Sequence, residues 1–293
     1  MAKTLTIFTP AYNRAYTLHL GYEALLRQTC QDFEWLIIDD GSSDNTRELV
    51  AGWIKENKIP IRYHYQENQG MHGAHNTAYR LITTELNTCI DSDDYMPDDA
   101  VEKIVTFWKK YGSNEVAGII GLDADFLGNI IGTTFSEKQT TLGKFYAQGG
   151  KGDKKMVYRT EIINKYPEYP LFKGEKYVSL GYKYELIEQD YSLLTINEVL
   201  VKVEYRPDGS SMNMFRQYIK NPQGFAFIRK SSMQLAPTAK RRFMEAIHYV
   251  SSSLILKNKR FLQESPKKFL TLCAIPFGIV LYLFIRFKTR NIQ

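Results

Sequence analysis

Cys89-Ile90-Asp91-Ser92-Asp93-Asp94-Tyr95-Met96-Pro97-Asp98-Asp99 sets five carboxylates in nine positions at the end of a short apolar run. Carboxylates this close repel one another and resist burial, so they need a cation, a hydrogen-bond network or open water. For Asp98 and Asp99 a plain reading suffices: with Pro97 they suit the start of a helix that continues over Val101 to Lys110. Asp91, Asp93 and Asp94 stand where the apolar run stops, and either an acidic loop feeding that helix or a divalent-metal site fits them. Hard oxygen ligands favour Mg or Mn over Zn, and a site of few protein ligands leaves positions open for substrate phosphates.

Upstream, apolar runs alternate with helical patterns. Leu5 to Thr9 reads as a buried strand ending at Pro10-Ala11-Tyr12-Asn13-Arg14, and a helix follows through Leu18, Tyr22 and Leu26. Phe33 to Ile38 is a second strand running into Asp39-Asp40-Gly41-Ser42-Ser43-Asp44. Asp44 or Ser43 can cap the next helix, whose inner face would be Leu49, Val50, Trp53 and Ile54. Ile61 to Gln66, Leu86 to Ile90 and Val116 to Leu122 are further strands, with a helix through Tyr79 to Ile82 between the first two. This order predicts an α/β fold with a mainly parallel sheet flanked by helices. In such sheets ligands bind beyond the carboxyl ends of the strands, so Thr9 to Arg14, Asp39 to Thr46 and Asp91 to Asp94 should gather along one edge.

The loops narrow the chemistry. No Gly-x-Gly-x-x-Gly follows the first strand and no phosphate-loop pattern occurs, so a diphosphate would be held through metal. Tyr12 offers a ring for stacking on a base or is a packed loop aromatic, and Asp39 or Asp40 can accept from a base N–H or simply cap the turn. Beyond Leu122 regularity fades: Met156 to Tyr166 reads as helix, Tyr177 to Gln189 as another, and Tyr191 to Ile196 with Val199 to Tyr205 as two strands.

The net charge of +6 is unevenly spread: residues 212–293 carry 15 Lys and Arg against 2 Asp and Glu. Phe269 to Ile285 is an uncharged run of 17 residues between Lys267-Lys268 and Arg286, Lys288 and Arg290, with Pro276 and Gly278 at its middle. A span wants about 20 apolar residues, and equal basic flanks do not favour crossing. A kinked or re-entrant hairpin, or a pair of in-plane helices, seated in the cytoplasmic leaflet is expected ahead of a span or a buried core helix. Nucleic acid is not an expected partner, since aromatic and basic residues are not interleaved on a polar surface. No secretory leader is expected, and Cys30, Cys89 and Cys273 fit reduced thiols.

Thr9-Pro10-Ala11-Tyr12-Asn13-Arg14, Ile37-Ile38-Asp39-Asp40-Gly41-Ser42-Ser43-Asp44, Asn68-Gln69-Gly70 with His75-Asn76, and Asp91-Ser92-Asp93-Asp94 with Pro97-Asp98 resemble, in order and spacing, the family 2 glycosyltransferases of GT-A fold. Gly174-Glu175 and Glu204 to Ser211 resemble, more loosely, the branch that builds bacterial capsule and cell-surface polysaccharide. The resemblance implies that Thr9, Tyr12 and Asp40 hold the nucleotide base, Asp91 or Asp93 the ribose, and Asp93 with Asp94 a Mn or Mg ion under the diphosphate. Arg14 and His72 are candidates for a diphosphate cation. The catalytic base would be Glu175, with Glu185 and Asp190 as competitors, and the outcome inversion.

Implied partners are a nucleoside-diphosphate sugar, foremost a UDP-sugar, a polyprenyl-linked glycan acceptor and the cytoplasmic membrane surface, with self-association left open. The expected division is a catalytic domain over 1–211, split into a donor half 1–122 and an acceptor half 123–211, then a basic helical region 212–293 whose segment 266–288 meets the membrane. Two other readings stand beside this one: a sugar-phosphate nucleotidyltransferase, or a membrane-bound nucleotide-sugar-binding or scaffold protein without turnover.

Overall fold

The computed structural model describes residues 3–204 and 214–290. The stretch Tyr205 to Ser211, part of the looser resemblance, lies outside the described residues. The first strands and helices alternate: β1 Leu5–Ala11, α1 Ala15–Leu26, β2 Phe33–Asp39, α2 Thr46–Glu56, β3 Ile61–Tyr65, α3 Met71–Leu81, β4 Leu86–Cys89 and α4 Ala100–Tyr111. There follow β5 Val116–Ala124, β6 Gln139–Thr140, α5 Leu142–Ala147, β7 Lys154–Arg159, α6 Thr160–Lys165, α7 Gly181–Ile187 and β8 Ser192–Lys202. The remaining helices are α8 Met214–Lys220, α9 Pro222–Leu235, α10 Ala239–Ile255, α11 Phe261–Glu264 and α12 Lys268–Lys288.

All strands join one sheet in the order β3-β2-β1-β4-β7-β5-β8-β6. β1 to β4 run parallel, β7 is antiparallel to both β4 and β5, and β5 is parallel to β8. The carboxyl ends of β1, β2, β4 and β5 therefore share an edge with the first residues of β7. Both sheet faces are covered, which is why β1 is apolar without alternation. Ile7 belongs to a cluster with Trp35 and Trp53, whose rings stack with Tyr22 at centroid distances of 4.4 to 6.4 Å. Its neighbour Phe8 faces the other way, edge-on to His75 and Tyr79 of α3 at 5.0 and 5.4 Å.

Four local expectations are corrected. Met156 to Tyr166 is not one helix: Lys154–Arg159 is β7, inserted between β4 and β5, and only Thr160–Lys165 is helical. A short apolar run such as Met156-Val157-Tyr158 suits either state, and the sheet's open slot decides it. The two strands around Asn197-Glu198 are one, β8, whose register against β5 jumps between Thr195 and Val199 as a bulge. Ile54 is exposed rather than inward. The apolar tail segment forms no hairpin; α12 runs unbroken through Pro276.

The described residues divide into two compact units, 3–167 with 187–204, and 168–186 with 214–290. The first holds the sheet. In the second, Met233, Ala246, Tyr249, Val250 and Ala274 form a core where α9, α10 and α12 meet. α12 turns Thr271, Ala274, Gly278 and Ile285 inward at three-to-four spacing. A Cβ on Gly278 would stand 2.5 Å from that of Val250, so glycine sets how closely α12 approaches α10. The opposite face of α12 exposes Phe269, Leu272, Val280, Leu283 and Phe287.

Candidate active site

The turns after β1 and β2 are tied together. Asn13 takes a left-handed backbone, with φ of 53°, which lets its side-chain oxygen accept from the amides of Ser43 and Asp44 at 2.8 and 3.3 Å. Its own amide donates to Ser42 Oγ at 2.9 Å. Asp44 accepts from the Ala15 amide and from the Thr46 amide and hydroxyl. Burial pushes the Asp44 carboxyl up, and these hydrogen bonds outweigh it and hold it below its ordinary value. In the frame so made, Tyr12 is 52% exposed with its ring open to solvent. Thr9 is buried, its hydroxyl accepting from Trp35 Nε1 at 3.0 Å. Arg14 stands at the N-cap position of α1 and donates to the Tyr16 hydroxyl at 2.6 Å.

Asp39 and Asp40, both buried, organise the next layer. Asp39 accepts from the Ser42 amide at 2.8 Å and the Tyr63 hydroxyl at 2.5 Å. Asp40 accepts from Gln66 Nε2 at 2.7 Å and from the amides of Gln69 and Gly70 at 2.8 Å. Such charge-assisted bonds contribute roughly 1.5–3 kcal/mol each and fix the turn after β3 against the end of β2. Gly41, at φ of 84°, permits this approach: a Cβ there would meet the Asn68 amide nitrogen at 2.8 Å. Gln66 Oε1, buried beside Asp40, accepts no hydrogen bond. His72 is buried in α3.

The acidic loop is pinned at both ends. The Ile90 amide donates to the Phe8 carbonyl, and Tyr95 and Lys202 exchange backbone hydrogen bonds as an isolated bridge. Between them the Asp94 amide donates to the Asp91 carbonyl at 3.1 Å and closes a turn. Burial, then the charges of Asp91, Asp93 and Asp123, push the Asp94 carboxyl up to about 8 against the pull of Lys155. Asp98 and Asp99 serve the fold instead: Asp98 pairs with Arg27 at 3.1 Å, and Asp99, at the N-cap position of α4, pairs with Lys103 at 2.9 Å.

Three residues on this edge carried no sequence signal. Lys155, the second residue of β7, donates to the Cys89 carbonyl, and its charge acts on Asp94 and Asp123. Lys154 is buried with its ammonium bound to the carbonyls of Ile131, Lys151, Gly152 and Asp153 at 2.9 to 3.3 Å. Asp123, near the end of β5, is buried, and burial first of all pushes it up to about 6. Only the pairing of β7 between β4 and β5 brings the three to the acidic loop.

The candidate bases are all engaged. In the second unit Glu175, nearly buried, accepts from the amides of Gln223 and Gly224 at 2.9 and 2.8 Å, at the start of α9. Glu185 accepts from the Ser232 hydroxyl at 2.6 Å and Arg241 at 3.0 Å, and burial first of all raises it. In the first unit Asp190 accepts from the Tyr166 hydroxyl at 2.6 Å.

A sheet of this order, with acidic and hydrogen-bonded turns gathered beyond the strand ends, defines an α/β enzyme of GT-A type. The family model for glycosyl transferase family 2 matches residues 6–166, more than half of the chain, and the chain belongs to that family. It is a glycosyltransferase. The UDP-Glc:alpha-D-GlcNAc-diphosphoundecaprenol beta-1,3-glucosyltransferase WfgD of Escherichia coli is 26% identical over 217 residues, 73% of this chain and 81% of that protein. An uncharacterized glycosyltransferase of Nostoc sp. is 29% identical over 116 residues, 40% of this chain, and the chain spans only 35% of its length. Among solved structures, S. aureus TarS 1–349 in complex with UDP-GlcNAc shares the fold at a TM-score of 0.64 and 16% identity, over 99% of this chain and 92% of that one. The mannosyltransferase PcManGT of Pyrobaculum calidifontis, in complex with GDP-Man and Mn2+, does so at 0.55 and 14%, over 97% and 88%.

Proposed function

We propose that this glycosyltransferase moves a sugar from a UDP-sugar to a polyprenyl-linked glycan acceptor, with Mn or Mg and inversion at the anomeric carbon, in building capsule or another surface polysaccharide. The observation that carries the reading is the acidic loop pinned on the ligand edge beside the frame of Tyr12 and Asp40. WfgD, by its name, acts on a diphosphoundecaprenol acceptor with UDP-Glc, and the structural relatives were solved with UDP-GlcNAc and with GDP-Man and Mn2+.

The donor set suits a hard divalent ion. Burial first of all, then the charges of Asp91, Asp93 and Asp123, raises Asp94, a cost that a cation would relieve, and among the described residues no three His, Cys, Asp or Glu side chains form a complete metal cage. Asp93 and Asp94 would hold the ion and leave positions for phosphate oxygens. Bound there, it supplies a Lewis acid for the charge of the departing nucleoside diphosphate.

The remaining roles belong to the chain. Tyr12 stacks on the base, backed by Thr9; Asp40 accepts from the base, and Asp91 or Asp93 from the ribose. Arg14, Lys155 or both draw the diphosphate. Glu175 takes the proton of the acceptor hydroxyl, with Glu185 and Asp190 as alternatives. One base and no separate nucleophile make a single, inverting displacement. The exposed apolar face of α12, flanked by Lys267, Lys268, Arg286, Lys288 and Arg290, seats the enzyme peripherally on the cytoplasmic leaflet, where a lipid-linked acceptor lies.

Isothermal titration with UDP, GDP and CDP, with and without Mn, tests the donor half. UDP should bind, at least tenfold more tightly with Mn, and Asp93→Ala should lose the Mn-dependent part. Absence of binding by every nucleotide in both conditions overturns the reading.

A further inference from the structure

Asp123 is the carboxylate on the ligand edge that the roles above leave unused. Its side chain is only 6% exposed, and its Oδ1 accepts no hydrogen bond. Lys155 and Lys154 favour its charged form, against burial and the charges of Asp153 and Asp91. Yet neither ammonium donates to it: Lys155 is bound to the Cys89 carbonyl and Lys154 to four others. What the carboxylate lacks is a hydrogen-bond donor.

Among the described residues Asp123 joins no group of three metal-binding side chains. A hydroxyl supplies the missing proton and adds no charge. Asp91 and Asp94 are near enough for Asp123's charge to act on them, so a diphosphate held at the acidic loop would carry its sugar into Asp123's surroundings. We propose that Asp123 accepts hydrogen bonds from hydroxyl groups of the transferred sugar and thereby reads which sugar the donor carries. The inference rests on the donor reading proposed above.

The test is titration of the full chain, in Mn, with UDP, UDP-glucose, UDP-galactose and UDP-N-acetylglucosamine, comparing wild type with Asp123→Asn and Asp123→Ser. UDP affinity should stay within about twofold, while the best-bound UDP-sugar weakens about tenfold and the preference among the three narrows. Equal loss for UDP and UDP-sugars would make Asp123 part of the nucleotide site or the fold and overturn the proposal. Unchanged affinity for all four would overturn it too. A sugar hydroxyl could instead come from the acceptor: unchanged hydrolysis of the UDP-sugar by water, with transfer to acceptor lost, would assign it there and remove the donor role. Failure of the wild type to bind UDP would refute the donor reading itself, and is told apart by needing no variant.

Discussion

Glu175 answers two demands that one substitution can separate. Its two oxygens accept amides at the start of α9, where the helix dipole favours negative charge and fixes the carboxylate's orientation. A general base needs a charged, oriented carboxylate, so the cap and the base can be one group. In Glu175→Gln the amide keeps one acceptor and turns an NH2 toward a backbone N–H, which should cost about 1 kcal/mol of stability. Loss of a base should cost turnover about a hundredfold or more, with donor affinity unchanged. Steady-state kinetics with a melting curve decides: lower melting temperature at unchanged turnover makes Glu175 a cap and passes the role to Asp190 or Glu185. The turns bearing Tyr12, Asp40 and Asp91 to Asp94 were legible because each closes a strand whose apolar run is plain. Asp123, Lys154 and Lys155 were not, since a single charge in an ordinary strand has no local signature and its neighbours come from pairing partners far along the chain.

β7 shows where local reading stops. Six residues with mixed periodicity fit strand or helix, and the slot between β4 and β5 settles them and with them the place of Lys155. The C-terminal helices were easier, because Ala246, Val250, Ala274 and Gly278 recur at helical spacing and their packing partners lie nearby in sequence. Within them α10 carries a pH-dependent weakness. Burial first of all, with the charge of Arg229, holds the His248 imidazole down at about 4 against its ordinary 6.5 while Glu245 opposes. Between those values the unfolded chain binds more protons than the folded one, so this contribution to stability is complete above pH 6.5 and fades as pH falls toward 4. Glu185, whose carboxyl is raised, contributes with the opposite sign, so the difference between wild type and His248→Gln isolates the histidine. The wild-type melting temperature should fall by a few degrees more than the variant's between pH 7 and pH 5. Parallel curves would show that His248 does not titrate with folding.

The second unit poses a problem for any bilayer crossing. α12 is one helix of 21 residues, about 31 Å long at 1.5 Å per residue, and is thus long enough to span. Yet its inner stripe is occupied by α10, whose Glu245 pairs with Arg229 of α9 at 2.8 Å and which buries Ser251, Ser252 and Ser253. Crossing would either carry those polar groups into hydrocarbon or strip α12 from its core, and both are costly. Lying in the surface costs neither. Phe269, Val280 and Phe287, each at least 67% exposed, would enter the leaflet at a gain on the order of 1.5–3 kcal/mol for each side chain fully buried. The basic residues at both ends add about 1 kcal/mol each against anionic headgroups. Removing α12 is a poor test, since Ala274 and Gly278 are part of what holds α9 and α10 together. Substituting the outer face is better: Phe269→Ser, Val280→Ser and Phe287→Ser together should leave UDP binding intact and reduce co-flotation with phosphatidylglycerol vesicles at least tenfold. Wild-type flotation should weaken in 0.5 M salt and on phosphatidylcholine alone, because the ends contribute through charge. Flotation of the triple variant equal to wild type would refute in-plane seating through this face.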